Sequence, residues 1–367
     1  MAKIILLSPK DNNFYNFRSE LILKLKDLGY DVVLVCPYGE KIDYFTKRGC
    51  RFIDLNLQRR GTNILVDLKL MFQYYAIIKR EKPNIVLTYT TKSSTYGGIA
   101  CRMARKPYIV NNAGLYREED FNKYIWFVLK SLYKLSYAHA DCLMYQNSYE
   151  RDTLNRIIKY KAHYRDIPGS GVNLNDFTYK NYPVSEENII INYVARIVKI
   201  KGIDELLECA HIIHCRHKNV KFALFGDYDE DIYRDKIKKA ETAGEIIYGG
   251  VQMDMKPYIE KCHAVIHPSY YEGMTNVVLE HSACGRPCLG SDIPGVSDGI
   301  EDGKTGFLFK VQDVNSMVCA VEKFLSLTHL EKMEMGKAAR CKMEKEFDRD
   351  IVTNIYLEEI NRLLNKS

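Results

Sequence analysis

The segment NYVARIVKIKGIDELLECA carries two cations, Arg196 and Lys201. A strand ends near Ala195 and a helical pattern starts after Gly202, so the cations flank a turn at the carboxyl end of a strand. Open α/β sheets bind ligands at that end. Arginine offers a planar fork to phosphate oxygens and lysine a compact point charge. The pair suits a diphosphate; the plain alternative is two solvated surface cations.

A second segment, HPSYYEGMTNVVLEHSACGRPCLGSDIPG, runs from a strand ending at His267, through a loop with Glu272 and Gly273, into a helix from about Thr275. The amides of Gly273, Met274, Thr275 and Asn276 at such a helix N-terminus form an anion site that needs no side chain. Glu272 lies in the loop and Glu280 two turns into the helix, which suits one carboxylate at each end of a ligand. Carboxylates accept hydrogen bonds from vicinal hydroxyls, so sugars and ribose are natural partners. Glu280 sits next to Leu279, and a partly buried carboxylate there needs a partner.

A third segment, FALFGDYDED, ends a strand in acidic residues. Asp227 with Asp229, and Asp229 with Asp231, have the look of a motif that holds a divalent metal on a nucleotide diphosphate. The alternative is an acidic turn that caps the next helix. With Arg196, Lys201 and a helix N-terminus at hand, a leaving phosphate needs no metal, and none is expected.

These residues need a scaffold. The chain has 367 residues, which suggests two domains. Hydrophobic content of 46% and charged content of 27% are those of a soluble globular enzyme. Short apolar strands alternate with amphipathic helices, first at Lys3–Ser8, Asp31–Cys36, Arg51–Leu55, Ile85–Leu87, Tyr108–Val110 and Cys142–Tyr145. A stretch rich in Gly, Asn and Pro, Arg165–Pro183, reads as a linker. A second series follows at Ile189–Val194, Val220–Phe225, Ile246–Tyr248, Ala264–His267, Pro287–Gly290 and Gly306–Phe309. The alternation predicts an α/β chain with two Rossmann-like domains of parallel sheet facing across a cleft, the default ligand site. The expected domains are 1–168 and 169–349, with the final helix, 350–367, packing back on the first.

The start, MAKIILLSPKDN, reads as a strand and not as a signal peptide, and no apolar run has the ~18 residues a membrane-spanning helix needs. A cytoplasmic location is expected. The eleven cysteines form no C-x-x-C pair, and Cys36, Cys142 and Cys209 read as buried thiols. Charge is uneven: residues 1–180 carry 29 Lys+Arg against 17 Asp+Glu, and the rest 24 against 30. A basic first half suits an anionic partner.

The order R-x4-K-G, strand-Gly, Pro-Ser with Glu-Gly and a later Glu, then G-x-P and I-x-D-G-x-T-G-x-L resembles family 4 of the retaining glycosyltransferases, which have the GT-B double-Rossmann fold. The match covers roughly residues 167–309. The resemblance implies that Arg196 and Lys201 bind the diphosphate of a nucleotide sugar, that Glu280 takes the ribose and that Glu272 faces the sugar hydroxyls. It places Gly226 at the strand-Gly position and Val251 where backbone meets the base. Family members need no metal, and the donor, a UDP-linked hexose or N-acetylhexosamine, is a substrate, so no cofactor is expected. The acceptor hydroxyl would attack on the face the phosphate leaves, with cations and helix amides stabilising the departing charge; one such donor is worth about 3–4 kcal/mol.

The first half departs from the pattern. Where many members have a glycine-rich loop, SPKDNNFYNFRSE stands, and NNAGLYREED replaces a segment that holds a histidine in some. Asn111, Asn112 and Gly114 are candidates to line the acceptor side, with Asn16 and Arg18 from the N-F-R stretch; His139 reads as structural. These two stretches resemble the subgroup that extends polyprenyl-diphosphate-linked sugars in bacterial surface polysaccharide and glycoprotein assembly. Residues 121–139, FNKYIWFVLKSLYKLSYAH, hold Trp126, Tyr124, Tyr133 and Tyr137 among Lys123, Lys130 and Lys134, a composition suited to a headgroup interface. A peripheral site on the inner face of the plasma membrane is therefore expected; the alternative is a helix whose apolar stripe faces the sheet. A nucleotide-sugar 2-epimerase of the same architecture and a non-catalytic binder of anionic polymer or membrane remain alternatives. Dispersed basic residues argue against nucleic acid.

Overall fold

The computed structural model describes residues 1–55, 64–112, 122–158, 163–184 and 187–365. The chain divides into two compact units, residues 1–170 with 350–367, and residues 171–349.

The first unit is built on seven parallel strands: β1 (Lys3–Leu7), β2 (Asp31–Cys36), β3 (Arg51–Asp54), β4 (Ile85–Tyr89), β5 (Tyr108–Asn112), β6 (Cys142–Tyr145) and β7 (Tyr164–Asp166). Their order is β3-β2-β1-β4-β5-β6-β7. Helices cover both faces, so the strands are apolar throughout instead of alternating. Ile4 and Leu6 join one core layer with Phe14, Leu21, Val352, Tyr356 and Ile360. Ile5 and Leu7 join the other with Tyr74, Ala100, Tyr133 and Tyr137. The helix Arg349–Leu364 thus supplies core to the first unit.

Two stretches differ from expectation. The stretch read as a linker from Arg165 begins inside β7, which pairs with β6. The stretch SPKDNNFYNFRSE, which stands where many members have a glycine-rich loop, is mostly helical, because the first helix runs Asp11–Asp27.

The second unit has six parallel strands: β8 (Ile189–Val194), β9 (Val220–Phe225), β10 (Ile246–Gly250), β11 (Ala264–His267), β12 (Cys288–Ser291) and β13 (Gly306–Phe309), in the order β10-β9-β8-β11-β12-β13. Its core joins Ile191, Tyr193, Phe222, Leu224 and Ile266 to Leu206, Ile213, Val321 and Phe324. Arg286 is fully buried among carbonyls: Nε donates to Ile259 at 3.0 Å, Nη1 to Lys180 at 3.0 Å and Cys284 at 3.1 Å, and Nη2 to Asn181 at 3.0 Å and Glu260 at 2.9 Å. One guanidinium thereby ties the chain entering this unit to the carboxyl ends of two of its helices.

In each unit the strand order reverses direction beside the first strand: at β1/β4 in the first and β8/β11 in the second. The crevice at the carboxyl ends of such a strand pair is where open α/β sheets hold ligands.

Candidate active site

The turn after β8 and the loop after β11 meet at the second unit's switch point. Gly202 ends the short 3-10 turn Lys199–Lys201 at φ +69°, and a Cβ there would lie 2.2 Å from the Pro268 carbonyl oxygen. Only glycine permits this approach. The Tyr270 amide donates to the Ile200 carbonyl at 3.0 Å, and the Tyr270 hydroxyl to Glu205 at 2.7 Å. Lys201 is thus held beside the β11 loop.

The Lys201 ammonium donates to Glu272 Oε1 at 2.5 Å, and both side chains are 16% exposed. The same oxygen lies 2.9 Å from His267 Nε2 and accepts from the Ser269 hydroxyl at 2.8 Å. Burial alone would raise the Glu272 pKa; the His267 hydrogen bond and the Lys201 charge outweigh it and bring it down to about 2. Glu272 is therefore an anion at neutral pH. His267 and Ser269 touch Glu272, yet the sequence reading gave neither a role: Ser269 counted only as part of the Pro-Ser motif, and the histidine at the last position of a buried strand was a visible signal left unused.

Arg196 is more open. It is ion-paired with Asp229, and its side chain is 56% exposed. Asp231 accepts from Arg234 at 2.8 Å, and the Asp227 carboxylate from the Tyr228 amide at 2.9 Å. The acidic run thus engages cations and amides of the protein itself. Among the described residues, a different group has metal-ligand spacing, Cys142, His163 and Glu359 in the first unit. Glu359 there already accepts from Arg165 at 3.1 Å and Arg362 at 2.7 Å.

The helix expected from Thr275 runs Asn276–Ala283, with Thr275 as N-cap. No side chain caps it and no acidic residue stands in its first turn, so its positive end is uncompensated locally. One of the four amides expected to bind an anion is committed: Thr275 donates to the Gly295 carbonyl at 3.0 Å. The reason is the close seating of the Gly295 turn, where a Cβ would stand 2.3 Å from the Gly273 carbonyl oxygen. Met274 is buried.

Glu280 accepts no hydrogen bond to its carboxylate among the described residues. Burial pushes its pKa up to about 7, with the Arg349 charge opposing and Asp176 adding to the rise. The partner that its position demanded is thus no more than a nearby charge. Gly226 donates to the Gly250 carbonyl at 2.9 Å and accepts from the Tyr248 hydroxyl at 2.8 Å, which fixes the end of β9 against β10. Val251 follows β10 and is exposed.

In the first unit, Asn16 is exposed, whereas Arg18 is buried, stacked over Tyr89 and Tyr356. Asn111 is buried and donates to the Tyr356 hydroxyl at 2.6 Å. Asn112 ends β5, and its side chain, like Gly114, lies outside the described residues. The helix expected at 121–139 runs Lys123–Tyr137. Its aromatic residues do not share one face. Trp126, Tyr133 and Tyr137 are buried, while Tyr124, Phe127, Val128 and Leu135 are exposed. Of the expected aromatic residues only Tyr124 lies on the outer face, where Phe127, Val128 and Leu135 join it. No helix among the described residues is long and apolar enough to cross a membrane.

Comparison with known proteins addresses both units. The family described as "Glycosyl transferases group 1" matches residues 176–342, and "Glycosyl transferase 4-like" matches residues 3–147. The chain is 26% identical, over 99% of both sequences, to N,N'-diacetylbacillosaminyl-diphospho-undecaprenol alpha-1,3-N-acetylgalactosaminyltransferase of Campylobacter jejuni. It is 21% identical to UDP-Gal:alpha-D-GlcNAc-diphosphoundecaprenol alpha-1,3-galactosyltransferase of Escherichia coli, over 80% of this chain and 79% of that one. Among solved structures, Anabaena Alr3699/HepE in complex with UDP and glucose shares the fold at a TM-score of 0.79 and 17% identity, covering 99% of this chain and 100% of that one. The chain belongs to the group 1, family 4 type of glycosyltransferases and has their GT-B fold.

Proposed function

We propose that the protein transfers a hexose or N-acetylhexosamine from a UDP-sugar, with retention, to a glycan carried on polyprenyl diphosphate. The observation that carries this reading is the partly buried Lys201–Glu272 pair at the β8/β11 switch point, next to an uncapped helix N-terminus. Lys201 and Arg196 take the donor diphosphate. Both start in ion pairs with carboxylates, so an arriving diphosphate competes with Asp229 and Glu272 for them. Glu272, ionised at neutral pH, then accepts from sugar hydroxyls. Glu280 accepts from the ribose, and the backbone near Gly226 and Val251 meets the base. Cations and helix amides stabilise charge on the leaving phosphate, which itself takes the acceptor's proton. No step in this scheme calls for a metal.

The acceptor and the place of action follow from a second set of observations. Relatives aligned over 99% and 80% of the chain are named for undecaprenyl-diphosphate-linked acceptors. The helix Lys123–Tyr137 carries an outer face of Tyr124, 87% exposed, and Phe127, 69% exposed, with Val128 and Leu135. Lys123 and Lys134 are exposed on the same helix. Rings and lysines in this arrangement favour an anionic headgroup layer, so the protein works peripherally on the inner face of the plasma membrane.

The test mixes the protein with UDP-hexoses and UDP-N-acetylhexosamines, with and without a synthetic polyprenyl-diphosphate-linked monosaccharide. UDP release that requires the acceptor is expected, and it should vanish in Lys201→Ala and Glu280→Ala. Release with no acceptor, accompanied by an epimerised sugar, would instead establish the epimerase.

A further inference from the structure

The first unit has its own switch point, between β1 and β4. Arg18, on the helix that follows β1, is 5% exposed. A buried cation normally has a carboxylate beside it, because leaving water unpaired is costly. Arg18 has none among the described residues. Its Nη1 donates to the Phe17 carbonyl at 2.7 Å, and its guanidinium lies 5.0 Å from the Tyr89 ring centre and 5.6 Å from that of Tyr356. Its Nε is buried and makes no hydrogen bond.

Two more groups stand at the β4 end of the same crevice. The Thr90 Oγ1 is buried without a hydrogen-bond partner, and the buried Tyr89 hydroxyl, short of a full hydrogen bond, interacts with Arg18 and the Tyr356 hydroxyl. Thr90 has φ +70°, a strained conformation for a β-branched residue. It precedes the helix Thr91–Ala104, which has no side-chain cap and no acidic residue in its first turn. Tyr356 is fixed from behind: Asn111 donates to its hydroxyl, and Gln146 Nε2 donates to the side-chain oxygen Oδ1 of Asn111 at 3.3 Å.

We infer that Arg18, Tyr89 and Thr90, with the amino end of the helix Thr91–Ala104, form a second oxyanion site that takes a phosphate of the acceptor's diphosphate. A phosphate satisfies together a buried cation with no counter-ion among the described residues, a threonine hydroxyl without an acceptor and a helix end without a side-chain cap. The assignment to the acceptor rests on the reading given under Proposed function. The oxyanion site itself does not. Tyr356, held by Asn111, is a positioning residue for Arg18.

The direct experiment saturates the protein with UDP, which fills the second unit's diphosphate site, and titrates inorganic pyrophosphate at low salt by calorimetry. Residual pyrophosphate binding is expected, with a Kd at least tenfold weaker in Arg18→Gln and an unchanged UDP Kd. Arg18→Lys, which keeps the charge and loses the Nε donor, should fall between the two and guards against a folding defect in the first variant. No residual binding, or equal binding in Arg18→Gln, overturns the site. A second arm compares KM for a diphosphate-linked acceptor with KM for the matching alkyl glycoside. Arg18→Gln should raise the first about tenfold and leave the second unchanged; an equal rise in both overturns the assignment to the acceptor phosphate. Pyrophosphate binding that depends on Arg18, in a protein that transfers no sugar, would leave the site standing and remove the transfer reading.

Discussion

Lys201 Nζ and Glu272 Oε1 lie 2.5 Å apart, each on the loop that leaves one of the two strands at the second unit's switch point. The pair joins a group suited to phosphate with one suited to sugar hydroxyls, and its charges depend on each other. Replacing Lys201 with Met should lower transfer about 10²–10³-fold, the scale of one lost charge-stabilising donor. It also strands a partly buried carboxylate. The Glu272 pKa is lowered, so the stabilisation is present above about pH 4.5 and is lost as pH falls through about 2. The His267 hydrogen bond holds part of this shift, so Lys201→Met should cost about 1–2 kcal/mol at pH 7 and roughly half of that or less at pH 3. Urea denaturation at the two pH values reads this, and adding Glu272→Gln should recover most of the loss without recovering activity. A Lys201→Met penalty as large at pH 3 as at pH 7 would contradict the coupling.

Glu280 has the opposite sign. Its pKa is raised to about 7, so the folded protein favours the protonated form. The stability this provides is complete below about pH 4.5 and is lost as pH rises through 7. Glu280→Gln should accordingly raise the melting temperature at pH 8 and change it little at pH 4. The same variant should weaken UDP binding at least tenfold. In the native protein, UDP affinity should decline as pH drops from 8 to 6, because a neutral carboxyl is a poorer acceptor for ribose hydroxyls. Calorimetric UDP titrations across that range give the answer, and a flat profile would remove Glu280 from the ribose site.

Arg286 serves architecture, not chemistry. Replacing it with Met leaves its carbonyl acceptors buried without their donor, a cost of about 3–5 kcal/mol. The sole tryptophan, Trp126, lies in the first unit and reports on it separately. In urea, Arg286→Met should shift the circular-dichroism transition well before the Trp126 fluorescence midpoint moves. Coincident shifts would mean that the two units unfold together.

Metal dependence can be tested at Asp229. Its ion pair with Arg196 gives the acidic run a role inside the protein. Transfer rates in excess EDTA should stay within about twofold of the untreated enzyme. Strong inhibition reversed by Mg²⁺ or Mn²⁺ would return Asp227, Asp229 and Asp231 to candidacy as metal ligands.

Buried parallel strands announce themselves as apolar runs, and so β2, β6, β8, β9, β11 and β13 were legible in the sequence to the residue. The edge strand β7, Tyr-Arg-Asp, has no such run and was hidden in a turn-rich stretch. The start of the first helix was equally silent, since its N-cap Lys10 makes no side-chain bond. Lys201, Glu272 and Glu280 were legible because strand ends and helix starts set their spacing. The pairing of Lys201 with Glu272 was not, since it joins residues 71 positions apart. Nor was the buried state of Arg18, which depends on Tyr356 arriving from the far end of the chain. The inner stripe of Trp126, Tyr133 and Tyr137 follows helical spacing and was readable; composition alone obscured it.

The helix Arg349–Leu364 fills core of the first unit through Val352, Tyr356, Ile360 and Leu363. During synthesis the amino-terminal unit leaves the ribosome with that layer missing and must wait while the whole second unit is translated. At roughly 5–20 residues per second, the delay for some 180 residues is on the order of ten to forty seconds. Throughout it the apolar face around Ile4, Leu34 and Ile85 stands partly uncovered, a natural client surface for chaperones. A nonsense codon just before residue 350 would spare the second unit's sequence and cripple the first.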